Sequence, residues 1–507
     1  MEDRGCIGVL ICGAGVAGLT LAIELARRDV SFRLIDKLPG PFDGSRGKGI
    51  QPRTLEVFED LGVVDRIAAA GGSYPPQRLH RPDGTFDETQ NVAIEPPTAD
   101  EPYRTPLLVP QSRTEAVMRE RLAELGHVPE YGNALQAFEQ DADMVTAHVV
   151  ALGRTEMVRC RYLIGSDGGR SLVRDGLQLG FPGKTLGVRA IVADIVLDGL
   201  TRDAWHRFHE GDMTRQLSFC PLPHGELFQL QAPIPLEGDV DLSTEGLQAF
   251  VDARLPGDRL VVRGVAWASA YSMNARLADR YRVGRVFLMG DAAHIHPPTG
   301  GQGLNTSVQD AYNLGWKLEA VLAGAPDALL ETYAEERRPI AADMLGLATD
   351  LLEKARQGDM RRGREVHQLD LGYPWSSLSL RSPERRGRVA AGDRAPDAPL
   401  RGAAGQPTRL FDLLRGPHWT LLTRGRDAAG LPIAGRRLHI HRIGPSGDVQ
   451  DVENRLSTTY GMRDGDHLLV RPDGYVGALV TAAEGARIGD YLSRVRCDRS
   501  LDRDRMT

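Results

Sequence analysis

The segment GDAAHIHPPTGGQGLN, residues 290–305, combines an acid, two histidines, two prolines and several glycines in a short span. Such residues serve three kinds of site: a metal site, a catalytic loop, or a backbone that closely approaches a ligand. Asp291 offers hydrogen-bond acceptors to a polyol, the two prolines stiffen a turn, and the glycines permit conformations that are closed to other residues. The pattern therefore favours a site built mainly from backbone.

His294 and His296 are the metal-ligand candidates in this segment, since their side chains can approach one ion from an extended chain. The neighbouring sequence supplies no third or fourth ligand, and the chain has no C-x-x-C pair. We therefore predict no metal site, and we expect the two histidines to serve packing or local hydrogen bonds.

A second candidate binding segment, IGVLICGAGVAGLTLAIELARRDVSFRLIDK, lies near the N-terminus. It predicts a buried strand over Ile7–Cys12, a G-x-G-x-x-G turn, a helix over Leu19–Arg28 and a second strand that ends at Asp36. The glycines let the turn approach a pyrophosphate, the helix offers free N–H groups, and Asp36 accepts hydrogen bonds from a ribose diol. The pattern predicts dinucleotide binding, either FAD or NAD, against the alternative of a merely tightly packed βαβ unit.

A third motif, CRYLIGSDGGRSLVRDGL, predicts a strand that breaks at Asp167 and a helix that starts at Ser171. In order and spacing the three motifs resemble those of the class A flavoprotein monooxygenases, the aromatic hydroxylases built like p-hydroxybenzoate hydroxylase and the polyketide hydroxylases. SRGKGIQPRTLEVFEDLG and VPQSRTE match further segments of that family. The resemblance covers Ile7 to about Glu353 and implies that the dinucleotide is FAD.

The resemblance also implies a set of cofactor-binding residues. The glycine turn would hold the pyrophosphate, Asp36 the adenosine ribose and Asp291 the ribityl chain, while Asp167 belongs to a motif that the family associates with both FAD and NADPH. The family usually has glutamate where this chain has Asp36, which has a shorter reach but the same hydrogen-bonding chemistry. The implied cofactor-binding residues are Gly13, Gly15, Ala17, Gly18, Asp36, Lys37, Arg46, Gln111, Asp167, Gly290, Asp291, Pro298, Gly301, Gly303, Leu304 and Asn305.

From Leu304 onward the sequence predicts a helix whose apolar residues lie largely on one face. The N-terminus of such a helix can point free amides and the positive end of its dipole at the flavin pyrimidine ring. Reduced flavin is anionic there, so the dipole would favour reduction by about 1 kcal/mol.

The activity implied by the resemblance is that of an FAD-dependent monooxygenase that hydroxylates an aromatic substrate, phenolic or polyketide-derived. NADPH or NADH would reduce the flavin, and O2 would form the flavin C4a-hydroperoxide. No catalytic acid or base is identified, and Pro298 and Gln229 are the candidate catalytic residues. Baeyer–Villiger oxygenation on the same fold, a non-enzymatic FAD-binding redox protein and a simple NAD dehydrogenase are the alternatives.

Substrate-side residues are expected in the segment ELFQLQ, in which Gln229 and Gln231 alternate with apolar Phe228 and Leu230. One face of this strand would present amides to an oxygenated substrate while the other joins the core, but the sequence does not decide which face meets the flavin. His206, His209 and Arg215 lie near the same region and could recognise a phenolate or carboxylate, but nothing in the sequence distinguishes any of them from a surface residue.

The predicted fold class is α/β, with a Rossmann-like FAD-binding domain, a β-sheet substrate domain and a C-terminal thioredoxin-like α/β domain. The predicted limits are 1–72, 109–180 and 272–380 for the FAD-binding domain, 73–108 and 181–271 for the substrate domain, and 390–507 for the C-terminal domain. Strand-like runs separated by Pro, Gly and Asp predict an antiparallel substrate sheet, and SPERRGRVAAGDRAPDAPL predicts a linker. The C-terminal domain has no C-x-x-C for dithiol exchange, so we expect it to serve structure or assembly.

Composition argues against several other partners. The net charge is −6 and the sequence has no long cationic tract, which disfavours nucleic acid and anionic membrane as partners. No segment reaches the roughly 20 continuous apolar residues of a membrane span. The five cysteines are scattered, as in proteins of a reducing compartment. We therefore expect a cytoplasmic protein that binds small molecules, and we allow for a homodimer.

Overall fold

The computed structural model describes residues 6–212, 214–257, 259–356, 362–383, 387–425 and 437–495 of the 507-residue chain. Cys497, part of the predicted linker and the last residues of the predicted C-terminal domain lie outside these ranges. Within the described ranges, no helix has both the length and the apolar character needed to cross a membrane.

The first third of the chain alternates strands and helices. These elements are β1 (Ile7–Cys12), α1 (Val16–Ala26), β2 (Phe32–Asp36), β3 (Gly49–Ile50), α2 (Pro52–Asp60), α3 (Val64–Ala70), β4 (Gln77–His80), β5 (Phe86–Thr89), β6 (Leu107–Leu108), α4 (Gln111–Glu124), β7 (Glu130–Tyr131), β8 (Asn133–Gln140), β9 (Val145–Ala151), β10 (Arg154–Gly165) and α5 (Leu172–Gly176).

The middle of the chain contains long strands followed by two long helices. These elements are β11 (Gly183–Asp198), β12 (Trp205–Phe208), β13 (Leu217–Pro221), β14 (Leu227–Ile234), α6 (Thr244–Arg254), β15 (Val261–Leu277), β16 (Arg282–Val283), β17 (Val286–Leu288), β18 (His294–Ile295), α7 (Gln302–Leu322) and α8 (Glu331–Arg356).

The last part returns to short strands with short helices between them. These elements are β19 (Pro399–Gly402), β20 (Pro407–Arg409), α9 (Leu410–Leu414), β21 (Trp419–Arg424), β22 (Leu438–Ile443), β23 (Val449–Asp451), α10 (Arg455–Tyr460), β24 (His467–Val470), β25 (Val476–Val480) and α11 (Ala486–Arg494).

The first sheet is a Rossmann-like parallel sheet centred on β1. Strand β1 pairs in parallel with β2 and β10, and β10 pairs in parallel with β17, so the path of the sheet is β16-β17-β10-β1-β2-β7. The wholly apolar Val9–Ile11 stretch is buried because α1 and its neighbours cover the sheet. The carboxyl ends of β1, β2, β10 and β17 therefore meet at one edge of this sheet.

The second sheet is the predicted substrate sheet, with strand order β18-β15-β11-β14-β13-β12-β4-β5. Its long central strands β11, β14 and β15 are antiparallel, and α6 packs against it over a second apolar core. Strands β4 and β5 join from the segment between residues 73 and 108, as the sequence predicts. Strand β15 runs through the predicted boundary at residue 271, and the domain limits themselves stay a prediction.

The third sheet forms the thioredoxin-like C-terminal domain, with strand order β20-β19-β23-β22-β21-β24-β25. Strands β21 and β22 are parallel, whereas β24 and β25 form a hairpin that turns at Asp473 and Gly474, as predicted. The indole of Trp419 on β21 packs edge-on against that of Trp316 on α7, with 5.3 Å between ring centroids. The C-terminal domain is therefore anchored on α7.

Helix α7 begins at Gln302, two residues before the predicted start, because Gly300 and Gly301 adopt left-handed φ values of +74° and +64° and turn the chain directly into the helix. Helix α1 likewise begins at Val16, within the glycine pattern, and not at Leu19. The main difference concerns burial, because the polar residues of α7 are buried together with its apolar ones. The buried polar residues of α7 are Gln302, Asn305, Thr306, Ser307, Gln309, Asp310, Asn313 and Lys317.

Buried ion pairs satisfy these polar side chains where α7 meets α8 and the C-terminal domain. Lys317 Nζ lies 2.7 Å from Glu336 Oε2 of α8, and Arg471 binds both Glu336 and Asp473. All of these side chains are almost completely buried. Burial of unpaired charges is costly, so each ion of this cluster depends on the others for its stability.

We predict that Arg471→Met lowers the free energy of unfolding by about 3–5 kcal/mol, because it leaves Glu336 and Asp473 buried with one counter-ion fewer. Urea unfolding followed by circular dichroism measures this effect. The matched control is Arg442→Met, also in the C-terminal domain, where Arg442 is half exposed and paired with Asp448. This control is expected to change the free energy by about 0.5 kcal/mol or less. Equal effects of the two substitutions would contradict the prediction.

Candidate functional site

The carboxyl edge of the Rossmann-like sheet opens into a long cleft between that sheet and the substrate sheet. The cleft comprises two adjoining cavities of about 1200 and 660 Å³. Gly15, Asp36, Arg46, Asp291 and Pro298 are among the residues that line both cavities. The glycine turn after β1 and the glycine-rich segment before α7 therefore lie on one continuous cleft.

Most of the predicted cofactor residues lie on the wall of this cleft. The lining residues among them are Gly13, Gly15, Ala17, Asp36, Lys37, Arg46, Gln111, Asp167, Asp291, Pro298, Gly301, Gly303 and Leu304. Gly18, Gly290 and Asn305 stand behind the wall, outside the lining of both cavities. Their contribution to the site is through packing and backbone position.

The three glycines of the first motif have different roles in the packing. Gly13 has φ +107°, and a Cβ at this position would overlap the Ser166 carbonyl. A Cβ at Gly18 would overlap the carbonyl oxygen of Gly13, whereas a Cβ at Gly15 would find its nearest atom, Glu115 Oε1, at 3.8 Å. Internal packing thus requires glycine at 13 and 18, while Gly15 is open to the cleft. The missing side chain at Gly15 leaves room for a ligand to touch the backbone.

Asp36 lies at the carboxyl end of β2 and faces the cleft. Its Oδ2 accepts a hydrogen bond from the Ala14 N–H at 2.7 Å, and its Oδ1 accepts one from the Leu38 N–H at 2.8 Å. These bonds fix the carboxylate against the glycine turn. Each oxygen keeps a further lone pair with which it can accept a hydrogen bond from a diol.

Two further carboxyl groups stand along the cleft, and burial by the surrounding protein raises the pKa of each. Asp167 accepts a hydrogen bond from the Val173 N–H at the start of α5 through Oδ2, whereas its buried Oδ1 has no partner among the described residues. Asp291 is open to the cleft, and desolvation by the surrounding protein outweighs the opposing effects of His294 and Arg46 on its pKa. Both groups can therefore accept hydrogen bonds from a bound hydroxyl.

The N-terminus of α7 points its first-turn amides into the smaller cavity. Gly301 precedes the helix and no side chain in the described ranges caps it. A Cβ at Gly303 would have only His296 Cδ2 within 4 Å, at 3.9 Å, so this position is also open to the cleft. Uncapped amides at a helix N-terminus carry a partial positive charge and bind anionic or carbonyl oxygens.

Asn305 holds this helix end in place. Its Oδ1 accepts a hydrogen bond from the Gln51 N–H at 2.9 Å, and its Nδ2 donates to the carbonyl oxygens of Gly49 and Gly301. All the polar atoms of the side chain are used within the protein. The side chain of Asn305 thus positions the two glycine-containing segments, and its contact with the cofactor stays a prediction.

The two histidines make local hydrogen bonds, which confirms that expectation. His294 Nε2 lies 2.6 Å from Asp310 Oδ2, and His296 Nε2 lies 2.9 Å from His294 Nδ1. Arg337 binds the other oxygen of Asp310 at 2.8 Å. A search of the described residues finds no cluster of three or more His, Cys, Asp or Glu that could hold a metal ion.

The substrate sheet presents Gln231, and not Gln229, to the cleft. Gln231 lines both cavities, whereas Gln229 is completely buried and binds Ser45 and Lys48. The proposed catalytic candidacy of Gln229 is thus not supported by its position, because it cannot touch a ligand in the cleft. Both glutamines lie on the same face of β14, and Gln231 Nε2 donates to Gln229 Oε1 at 2.8 Å. They differ because Ser45 and Lys48, which are distant in sequence, cover Gln229 and leave Gln231 at the cleft.

On β12 the alternation turns His206 away from the cavity, where it hydrogen-bonds to His80. Trp205 and Arg207 line the smaller cavity instead. Lys48 and Tyr74 also line it, and sequence reasoning missed both. A lysine between two glycines, in a segment next to the predicted Arg46, is the signal that could have found Lys48.

Glu115 on α4 is another residue that sequence reasoning missed. It is 1% exposed, lines the smaller cavity and accepts a hydrogen bond from Gln111 Nε2 at 2.8 Å. Burial raises the pKa of Glu115 to about 7, although the bond from Gln111 acts in the opposite direction. A carboxyl group so close to the glycine turn is thus partly protonated near neutral pH.

The chain matches a family model for an FAD binding domain over residues 7–348 and a model for the C-terminal domain of aromatic-ring hydroxylases over residues 388–496. A flavin-dependent monooxygenase of Mycobacteroides abscessus is 42% identical, with 96% of this chain and 99% of the relative covered. The 6-methylpretetramide 4-monooxygenase of Streptomyces rimosus is 34% identical over 95% of this chain and 91% of its own length.

Comparison with solved structures gives the same result for the fold. The structure of aklavinone-11 hydroxylase with FAD and aklavinone matches with a TM-score of 0.84 at 28% identity, covering 98% of this chain and 100% of the other. The match therefore extends over all three sheets and the cleft.

We predict that Glu115→Gln stabilises the protein at alkaline pH and has little effect near pH 4. The Glu115 pKa of about 7 exceeds the 4.5 of an unperturbed Glu, so the wild type loses stability as the pH rises between these values. The destabilisation caused by ionised, buried Glu115 is complete above pH 7. Its removal in Glu115→Gln is expected to raise the free energy of unfolding at pH 8 by about 2–3 kcal/mol. Urea unfolding of both proteins from pH 4 to pH 8 measures this difference. Glu120→Gln, on the exposed side of the same helix, is the control and should show no such pH-dependent gain.

Proposed function

The chain belongs to the FAD-dependent aromatic-ring hydroxylases, and on this premise we propose that it transfers one oxygen atom from O2 to a phenolic or polyketide-derived aromatic substrate. We further propose that NADPH or NADH is the reductant. One observation carries the proposal: a single cleft joins the glycine turn after β1, the uncapped N-terminus of α7 and a cavity of about 660 Å³ under the substrate sheet. Cofactor and substrate can thus lie next to each other.

The residues along the cleft fit FAD in the order of its parts. Asp36 would bind the adenosine ribose, the backbone at Gly15 and the N-terminus of α1 the pyrophosphate, and Asp291 the ribityl chain. The open backbone at Gly303 and the first-turn amides of α7 would face the pyrimidine edge of the flavin ring. When bound, FAD supplies the acceptance of a hydride and the activation of O2, which no amino-acid side chain can perform.

The protein itself contributes position, polarity and exclusion of water. The α7 N-terminus provides hydrogen-bond donors that need not reorganise when negative charge develops on the cofactor. Pro297 and Pro298 hold the segment before the helix at a fixed distance from the substrate cavity. Pro298, one of the two catalytic candidates from the sequence, lines both cavities of the cleft, and we propose that it contacts the reacting groups there.

The end of the smaller cavity next to the substrate sheet has the chemistry of a site for a polycyclic aromatic compound. The flavin ring at α7 would share the total volume of about 660 Å³, and the wall at the substrate end combines Tyr74 and Trp205 with the polar groups of Gln77 and Gln231. The names of the relatives, 6-methylpretetramide 4-monooxygenase and aklavinone-11 hydroxylase, support a substrate of the same class.

Dinucleotide reductant would approach through the larger cavity. Arg46, Arg170, Arg189 and Arg276 line it and offer guanidinium groups to phosphates. The sequence has no second complete glycine fingerprint, which favours transient docking of NADPH or NADH over a dedicated dinucleotide-binding domain.

The direct test is anaerobic reduction of the purified holoprotein by NADPH and by NADH with a panel of phenols and polyketide quinones, followed by O2 and product mass measurement. We expect a yellow protein, faster flavin reduction with a bound substrate, and a product with one added oxygen and an intact ring. A lactone product would favour Baeyer–Villiger oxygenation. Oxidation of NAD(P)H that no aromatic compound stimulates would favour a redox protein, and a colourless protein would favour an NAD dehydrogenase.

We predict that Gly15→Val weakens FAD binding by about 100-fold or more while the apoprotein keeps its fold, since this side chain would enter the space of the pyrophosphate. Fluorescence titration of the apoprotein with FAD measures the affinity, and circular dichroism measures the fold. Gly18→Ala is the contrasting variant, because its Cβ would overlap the Gly13 carbonyl and destabilise the apoprotein itself. Wild-type FAD affinity in Gly15→Val would contradict the placement of the pyrophosphate.

A further inference from the structure

A lysine is built into the wall of the substrate cavity. Lys48 precedes β3, is 8% exposed and lines the smaller cavity. Its Nζ donates a hydrogen bond to Gln229 Oε1 at 2.6 Å and lies 4.2 Å from the centroid of the Trp205 ring. The ammonium group is therefore held in one position by an amide and an indole face.

The amide that holds Lys48 is itself fixed by other groups. Gln229 Nε2 donates to the carbonyl oxygen of Ser45 at 2.8 Å, and Gln231 Nε2 donates to Gln229 Oε1 at 2.8 Å. Ser45 in turn binds the carboxylate of Asp194 through both its N–H and its hydroxyl. This arrangement orients the Gln229 carbonyl oxygen towards Lys48, so the completely buried glutamine serves as a positioning residue.

The charge of Lys48 lacks a direct counter-ion. Among the described residues, no carboxylate lies within ion-pair distance of Nζ. Both carboxylate oxygens of the nearby Asp194 accept hydrogen bonds from Ser45. Burial lowers the pKa of Lys48, and it raises the pKa values of the facing Cys220 and Asp194.

The remaining groups around the ammonium do not supply the missing negative charge. Burial raises the pKa of Tyr74, which therefore stays neutral, and Arg207 on β12 is a second cation on the cavity wall. An ammonium has three N–H donors, of which Gln229 takes one and the neutral Cys220 thiol a second. Lys48 thus presents a desolvated positive charge with a donor to spare, and the carboxylates that line the same cavity, Asp36, Glu115 and Asp291, make no ion pair with it.

We propose that Lys48 binds an ionised oxygen of the substrate, the phenolate or enolate form of an acidic hydroxyl group, and thereby selects substrates that carry such a group. This inference rests on the proposed function and names the specificity determinant of the same site. A bound oxyanion neutralises the buried ammonium, whereas a methyl ether at the same position leaves it uncompensated. The aromatic ring attached to that oxygen would lie along the wall formed by Tyr74 and Trp205.

The charge on the oxygen also bears on where the substrate reacts. An aromatic hydroxyl in its ionised form increases the electron density at the ring carbons ortho and para to it. These carbons are the ones to which an electrophilic oxygen atom adds. By fixing the oxyanion, Lys48 fixes which of these carbons lies nearest the flavin side of the cavity.

The test uses the holoprotein with 2-hydroxyanthraquinone and its methyl ether 2-methoxyanthraquinone as probes. Ionisation of the hydroxy compound changes its visible spectrum, so difference spectra against the holoprotein alone report both affinity and the pKa of the bound dye. For the wild type at pH 8 we expect the hydroxy compound to bind at least about tenfold more tightly than the ether, and the pKa of the bound dye to fall by about one unit.

Three variants separate charge from shape. Lys48→Met is expected to abolish both the tenfold preference and the pKa shift of the dye, while it keeps its FAD and binds the methyl ether like the wild type. Lys48→Arg keeps the charge and should retain a lowered dye pKa. Lys184→Met, at the exposed start of β11, is the matched control and should behave like the wild type in every measurement.

Two outcomes overturn the proposal. One is a wild-type holoprotein in which the dye has the same pKa as in water or a higher one, a result that does not depend on the folding of any variant. The other is a Lys48→Met variant that keeps the full preference for the hydroxy compound. Either result leaves the monooxygenase proposal intact, because that proposal is tested by product formation. A purified protein that contains no FAD would instead contradict the proposed function.

Discussion

Helix α7 can be buried on every side only because its polar side chains are paired inside the protein. Asp310 binds His294 and Arg337, and Lys317 binds Glu336, which in turn binds Arg471 of the C-terminal domain. An unpaired member of this set would carry a desolvation cost of several kcal/mol. The pairing therefore fixes α7 relative to the Rossmann-like sheet, to α8 and to the C-terminal sheet at once.

The position of α7 determines the chemistry of the cleft. Its uncapped N-terminus follows a left-handed glycine turn and lies next to the substrate cavity, so donors for a developing negative charge are in place before any ligand binds. At the other end of the cleft, the open backbone at Gly15 and the fixed carboxylate of Asp36 form a candidate binding site for a nucleotide. The C-terminal domain contributes indirectly, because its Arg471 and Trp419 support the helix that forms the site.

Local patterns in the sequence predict the nucleotide-binding turn, whereas FAD itself is implied by the family resemblance. The strand, glycine turn and acid of the first motif are read within about thirty residues, and the steric need for glycine at 13 and 18 is a property of that turn itself. The hairpin turn at Asp473 is likewise predicted from strand-like runs and turn residues. The turn and the hairpin depend on neighbours in sequence, whereas the three sheets pair distant strands and follow from the resemblance.

The substrate side depends on contacts between segments that are far apart in sequence, and there the predictions were incomplete. Gln229 and Gln231 share one face of β14, and only the packing of Ser45 and Lys48 against Gln229 leaves Gln231 as the one that lines the cleft. In the sequence, Lys48 cannot be told from an ordinary surface lysine. Its role depends on Gln229 of β14, which lies 181 residues away along the chain. The paired polar face of α7 was missed for the same reason, since its partners come from α8 and the C-terminal domain.

The most direct measurement of the central claim is an experimental structure of the protein loaded with FAD. The account predicts one extended FAD with its adenosine ribose at Asp36, its pyrophosphate over Gly15 and its flavin ring at the amides that follow Gly301. A flavin ring bound elsewhere in the molecule, or a nucleotide that does not touch the turn after β1, would contradict it.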